Sequence, residues 1–266
     1  MSVITISRGT YSRGKEIAEK VAKRLNYECI ARETILEASK EFNIPEIKLV
    51  GAIHNAPSIL DRFFSYGKEK FVAYFQTAFL EHMKKDNIVY HGLAGHFLLK
   101  GVSHALKVRI IADIDDRVKL EMQRKGNTEK EAREFLIHDD LERVKWSQAL
   151  YGIDTTDASL YDLVIHLRKI TVDDAVDIIY RAVGLQQFKS TPQSQNAMDD
   201  LLLSARVKSA LINMKPDIDV TSKSGAVTVT TYASNFVEDD LLRGLESAAK
   251  KVPGVKEVSI SVLSLR

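Results

Sequence analysis

The sequence predicts an α/β fold, a parallel sheet with helices on both faces, followed by a smaller α+β module of α-β-β-α-β order. Three observations predict it. Apolar, β-rich runs at 3–6, 87–90, 108–112 and 161–167 alternate with helical patterns at 63–83, 117–124, 129–137 and 172–183, as expected for parallel strands joined by crossover helices. The first run passes directly into a G-x-x-x-x-G-K turn, Gly9 to Lys15, and then into an amphipathic helix. A polar, Gln/Ser-rich stretch with one proline, 185–196, separates a domain at 1–184 from a module at 197–266 and reads as a linker.

The opening strand and turn carry the clearest chemistry. A strand ending near Ser7 delivers the chain to a glycine-containing turn. The turn's amides and the first turn of the following helix then converge on one spot, which the positive end of the helix dipole makes favourable for phosphate. Ile17, Ala18, Val21, Ala22 and Leu25 form one apolar stripe on that helix, with Glu16, Glu19, Lys20 and Lys23 largely opposite. Gly9, Thr10, Tyr11, Ser12, Arg13, Gly14, Lys15 and Glu16 are the candidate phosphate-binding positions, and Lys15 is the cation expected to reach the terminal phosphates. A phosphate loop ordinarily carries Ser or Thr after the lysine to hold magnesium, and here Glu16 stands there. A carboxylate is a suitable magnesium ligand, so Glu16 is the candidate metal position. The plainer alternative is a strand–turn–helix corner whose glycines serve only the turn.

Phe63, Phe64, Tyr66, Phe71, Tyr74, Phe75 and Phe79 recur at roughly helical spacing and read as core or interdomain packing, not a base-stacking surface. Arg117, Arg124, Arg133 and Arg143 lie on a helix-rich segment at 115–146. A closing lid of that kind brings guanidiniums onto phosphates and excludes water, which phosphoryl transfer needs more than covalent chemistry. Glu and Asp are interleaved throughout, so Arg124 and Arg133 read as a solvated face. In the C-terminal module a helix at 201–211 precedes a hairpin at 218–221 and 226–231 around Ser224-Gly225. A second helix at 237–252, stopped by Pro253-Gly254, precedes a last strand at 258–262.

The 266 residues carry 45% hydrophobic and 28% charged residues and a net charge of +2, ordinary for a globular chain. From Ala197 onward there are nine basic and nine acidic residues, so bulk charge gives no support for nucleic-acid binding. The lone Cys29 excludes an internal disulfide and suits a reducing compartment. No signal-like leader and no run of ~20 apolar residues is evident, so the expected location is cytoplasmic, without a transmembrane segment. His91 and His96 flank a glycine-rich turn, with His91 the stronger pocket candidate. His54, His82, His104, His138 and His166 read as structural, and no zinc spacing is present.

Residues 1–184 resemble the cytidylate-kinase-like branch of the nucleoside monophosphate kinases. The resemblance rests on Ile4 to Arg8 with Ser12 to Ile17, where glutamate after the basic residue is usual. It continues in the strand leading to Ala112-Asp113 and Arg117, in Asp140-Leu141-Glu142-Arg143 as the D-x-x-R of a lid, and in Tyr161 to Ile165. It implies a P-loop NTPase-type sheet, ATP and Mg2+ as cofactors, and γ-phosphoryl transfer to a nucleoside monophosphate such as CMP. It also implies catalytic roles for Lys15, Arg117, Asp140 and Arg143, and acceptor-site roles for Arg32, His91 and Gly92. The chain departs from that pattern at Tyr11 and Arg13, where glycine is commoner, at Ala31, where an acidic residue is common, and at Leu93, where an arginine is usual. Residues 197–266 resemble a BON domain, which implies an unidentified ligand or protein partner. Its balanced charge leaves at most weak peripheral membrane contact. The alternative function is a degenerate ATP-binding module that signals through this C-terminal domain.

Overall fold

The computed structural model describes residues 2–10, 12–38, 67–92, 95–233 and 239–264. Tyr11, Leu93, His54, Phe63, Phe64, Tyr66 and Val237 fall outside these. The chain divides into two compact units, 1–32 with 85–191, and 33–84 with 192–266. The segment 33–84, placed in the first domain by sequence, thus clusters with the C-terminal module.

The first unit is built on a parallel sheet of order β2-β3-β1-β4-β5. Its strands are β1 (Val3–Arg8), β2 (Glu28–Ala31), β3 (Ile88–His91), β4 (Ala105–Ala112) and β5 (Leu163–Leu167). Every pairing is parallel. The order reverses around β1: the chain leaves it toward β2, and later crosses from β3 to β4 on its other side. Ligands bind beyond the carboxyl ends of strands at such a switch point.

Side-chain alternation gives the sheet two unlike faces. Ile4, Ile6, Val89, Leu106, Val108, Ile110 and Ile165 pack beneath α1 (Gly14–Leu25) and α7 (Val172–Val183) in one apolar core. Register pairs Thr5 with Tyr90 and Lys107, and Ser7 with Arg109, so these polar residues share the opposite face. α1 presents Ile17, Ala18, Val21 and Ala22 to the core, as its apolar stripe requires. α7 starts at a capping box in which Thr171 and Asp174 satisfy each other's backbone donors.

After β4 the chain forms a helical pair, α5 (Ile114–Lys125) and α6 (Glu129–Tyr151). Val118, Ala132 and Leu136, with Ile114 and Met122, give the pair a small core of its own. The turn between them is set by Gly126 in the left-handed region and a capping box at Thr128 and Glu131. The helix α2 (Arg32–Ala38) begins at the residue after β2, and α4 (Gly95–Leu98) comes after the end of β3 at His91.

The second unit packs α3 (Lys68–Met83) against α8 (Pro192–Leu211). A buried hydrogen bond between Thr77 and Ser209 and ion pairs Glu81–Arg206 and Lys84–Asp199 join the two helices. Phe71, Phe75 and Phe79 stack in series along α3 and are buried, which supports the packing role of this aromatic stripe. α8 begins at Pro192, so part of the expected linker is helical; a 3-10 turn occupies Gln186–Phe188. β6 (Ile218–Lys223), β7 (Ala226–Ala233), α9 (Asp239–Lys250) and β8 (Glu257–Ser264) complete the α-β-β-α-β order, with β6 and β8 flanking β7. Among the described residues no helix is long and apolar enough to cross a membrane.

Candidate active site

The described candidate phosphate-loop positions lie at the carboxyl end of β1 and the start of α1. Ser12 folds the turn back on itself, its amide and hydroxyl both donating to the Gly9 carbonyl, at 3.4 and 2.9 Å. Arg13 is the N-cap of α1 in the left-handed region (φ 56°), and no side chain caps the helix. The first amides of α1 therefore remain open toward the loop, the arrangement that receives an anion. The left-handed conformation held by Arg13 is one that glycine adopts without steric cost. Gly14 is required for a different reason. A Cβ there would lie 2.7 Å from Cβ and 2.8 Å from Cδ of Arg8.

Two expected loop ligands point elsewhere. The Lys15 ammonium lies 3.7 Å from Glu19. Glu16 accepts from Arg13 at 2.9 Å and lies 3.4 Å from Lys20, held along the outer surface of α1.

The helical pair brings four charged side chains onto the loop. Arg117 is 7% exposed. Its Nε donates to the Thr10 carbonyl at 2.7 Å, while its two terminal nitrogens grip Asp140 at 2.7 and 2.9 Å. Arg143 Nε donates to Thr10 Oγ1 at 2.9 Å and to Asp139 at 2.7 Å, and the Thr10 hydroxyl donates to Asp139. Arg117, Asp140 and Arg143 thus meet at Gly9-Thr10. Asp139 is an addition that sequence reasoning missed. Its signal was present in the i,i+4 spacing to Arg143, which puts both on one helix face. Arg133 bonds Asp115 and Glu129 on the surface, matching its reading as a solvated residue.

A cavity of about 370 Å3 opens beside this network, lined by Arg13, Lys119, Leu120 and Gln123 on one side and Arg168 and Thr171 on the other. Asp113, the N-cap of α5, meets His166 at 2.9 Å and Arg168 at 3.3 Å, tying the start of the helical pair to the end of β5.

Of the acceptor-side candidates, Arg32 and Gly92 are neighbours. A Cβ on Gly92 would lie 3.0 Å from that of Arg32 and 2.7 Å from the Tyr90 hydroxyl, and the Arg32 guanidinium sits over the Trp146 ring at 5.3 Å. His91 pairs in register with Ile6, which places it on the face covered by α1, away from Tyr90. His96 stands on the Tyr90 face. Its ring lies 4.5 Å from that of Tyr161, whose hydroxyl donates to the Thr155 carbonyl and accepts from Arg109 at 3.2 Å.

The cytidylate kinase-like family model matches residues 3–169. The chain belongs to the cytidylate kinase-like family. Among similar curated proteins, the cytidylate kinase of Methanosarcina acetivorans is 34% identical over 105 residues, 38% of this chain and 57% of its own length. That of Pyrococcus furiosus is 31% identical over 104 residues, 39% of this chain and 53% of its own. This cytidylate kinase-like chain therefore spans about half the length of the curated relatives it matches. A solved structure of an uncharacterized protein from Eubacterium ventriosum is similar in fold, with a TM-score of 0.56 and 20% identity over 69% of this chain and 98% of that one. The likeness to that structure is one of fold, a parallel sheet flanked by helices.

Proposed function

We propose that this protein is an ATP-dependent nucleotide phosphotransferase that moves the γ-phosphoryl group of ATP to a nucleoside monophosphate, with CMP the first acceptor to test. The observation that carries this reading is the uncapped start of α1 facing Gly9-Thr10, with Arg117 and Arg143 both bonded to Thr10. Open amides and two guanidiniums around one loop suit a polyphosphate. The cavity beside Arg13 suits the donor's base and ribose.

The acidic partners give the arginines a second state. Asp139 and Asp140 orient Arg143 and Arg117 and balance their charge until phosphate oxygens compete for the same donors. Charge then gathers on the transferring group, where preorganised cations count most. Among the described residues Lys15 pairs with Glu19, with its side chain 64% exposed, so its rotation toward the phosphates costs little. Magnesium, when bound with ATP, supplies further neutralisation of the phosphates. Asp139, whose carboxylate meets Thr10, is better placed to share that ion than Glu16, which Arg13 and Lys20 engage.

Coupled assays across nucleoside monophosphates, with thermal shift for ATP, CMP and both, test the proposal. Transfer to one acceptor and stabilisation by both ligands is the expected result. ATP stabilisation without transfer to any acceptor would overturn it in favour of an ATP-binding regulatory module.

A further inference from the structure

The sheet face opposite α1 holds polar groups that the phosphate-loop network does not use. His96 is 1% exposed, and neither ring nitrogen has a hydrogen-bond partner. Thr5 is 1% exposed with an unpartnered hydroxyl, and the Ser147 hydroxyl is in the same condition at 0%. Buried polar groups nearly always find partners, so three such groups in one unit need a reason. The strand register supplies it. Lys107 and Arg109 project from β4 on the face of Thr5 and Ser7, their partners in β1. Among the described residues, neither cation has a carboxylate within ion-pair distance. Among the described residues Arg109 donates to the Tyr161 hydroxyl, which itself lies 3.3 Å from Ser7 Oγ. The nearby carboxylates are already engaged: Asp154 accepts from the Thr156 amide and hydroxyl, and Asp162 from the Lys107 amide.

Two cations without a carboxylate in direct contact, Arg109 feeling Asp154 only at longer range, beside buried polar groups without hydrogen-bond partners describe a site for an anion. Its position narrows the class of anion. Ser7 precedes Gly9 by two residues, which limits the Cα separation to about 7 Å. A ligand held by Ser7 and Arg109 therefore lies next to the loop expected to hold the donor's terminal phosphates, where the phosphoryl acceptor must sit. A phosphate monoester carries the charge that Lys107 and Arg109 together offset.

We propose that Arg109 and Lys107 of β4, with Ser7 and His96, form the subsite that holds the acceptor's phosphate monoester. The subsite rests on the kinase reading and names which residues supply its acceptor affinity. It also accounts for the departure at Leu93: the cation expected from the strand-end arginine comes instead from β4. Burial, with added repulsion from Lys107 and Arg109, lowers the His96 pKa to about 3. The ring is then an uncharged donor and acceptor, available to a phosphate oxygen through one nitrogen and to a sugar hydroxyl through the other.

Calorimetric titration with CMP and, separately, ATP compares the full-length protein with Arg109→Gln and Arg109→Lys, each first shown by circular dichroism to be folded. CMP affinity should fall at least tenfold in Arg109→Gln and recover in part in Arg109→Lys, while ATP affinity changes less than twofold. Unchanged CMP affinity in Arg109→Gln overturns the subsite and leaves the kinase reading standing. If the unsubstituted protein binds no nucleoside monophosphate, the kinase reading falls separately. The His96 ring resonances, assigned with His96→Gln, are then followed during titration with inorganic phosphate. Shifts present in the parent and lost in Arg109→Gln sustain an anion subsite; absent or unaltered shifts overturn it.

Discussion

Arg13 and Gly14 occupy adjacent positions in the phosphate loop yet face different constraints. Arg13 is held at φ 56°, a conformation that β-branched side chains resist. Arg13→Val should lose about 1–2 kcal/mol of stability in urea denaturation, and Arg13→Gly should lie close to the parent. Gly14 has an ordinary helical conformation but no room for a side chain, because the stem of Arg8 fills the space. Gly14→Ala should cost about 1–3 kcal/mol through overpacking. In Arg117→Ala, loss of the bonds to Thr10 and Asp140 should lower kcat/KM by 10- to 1000-fold in the phosphotransfer assay, on the scale of one lost transition-state donor. His96 gives a prediction in pH. Its folded-state pKa of about 3 lies below the usual 6.5, so the unfolded chain binds more protons between these values. Stability therefore rises with pH across that window and falls as the solution is acidified from 6.5 toward 3. Thermal melts of His96→Gln should show a shallower acid slope than the parent.

Among the elements, the α5–α6 pair has the most independence. Its own core is small, centred on Val118, Ala132 and Leu136, and its ties to the loop run through Arg117, Asp140, Asp139, Arg143 and Thr10. A helical pair with few buried apolar residues and charged contacts to the loop is suited to open and close over a ligand. Hydrogen exchange should therefore show faster exchange in α5 and α6 than in α1, and ATP should slow it; equal protection without ligand would count against a moving lid. α7 is the contrasting element, with one face locked into the main core and its start capped by Thr171. Thr171→Ala should lower Tm by about 2–4 °C.

For the whole molecule, the decisive feature is that the chain exchanges a segment between its units. Residues 33–84 leave the first unit's sequence and cluster with 192–266, and α3 buries its stacked phenylalanines in a unit that also contains α8. Ending the chain after Thr191 would remove α8 and with it the partner of Thr77, Glu81 and Lys84. The shortened protein should aggregate or bind a hydrophobic dye, as an exposed aromatic face predicts. A soluble, monomeric and fully active product of that truncation would contradict this dependence.

Local order was legible because its signals are local. The strand–turn–helix at 3–25, the capped helices and the α-β-β-α-β order each follow from periodicity, glycine placement and capping residues within a few positions. The Arg117–Asp140–Arg143 cluster was legible through its resemblance to a lid motif. The placement of His91 on the α1 face and the polar layer of Thr5, Ser7, Lys107 and Arg109 were not, because each depends on which strand lies beside which; Asp139 was overlooked although its i,i+4 spacing to Arg143 lies in the sequence. Sequence alone determined that a strand, a glycine-containing turn and an amphipathic helix follow one another in an α/β domain, since those signals are written in consecutive residues. Only the tertiary structure decided that Glu16 turns away from the loop, that α3 belongs with the C-terminal module, and that β4 sets two cations beside Ser7. Contacts between residues a hundred positions apart follow from strand register, and register emerges from the packed sheet as a whole.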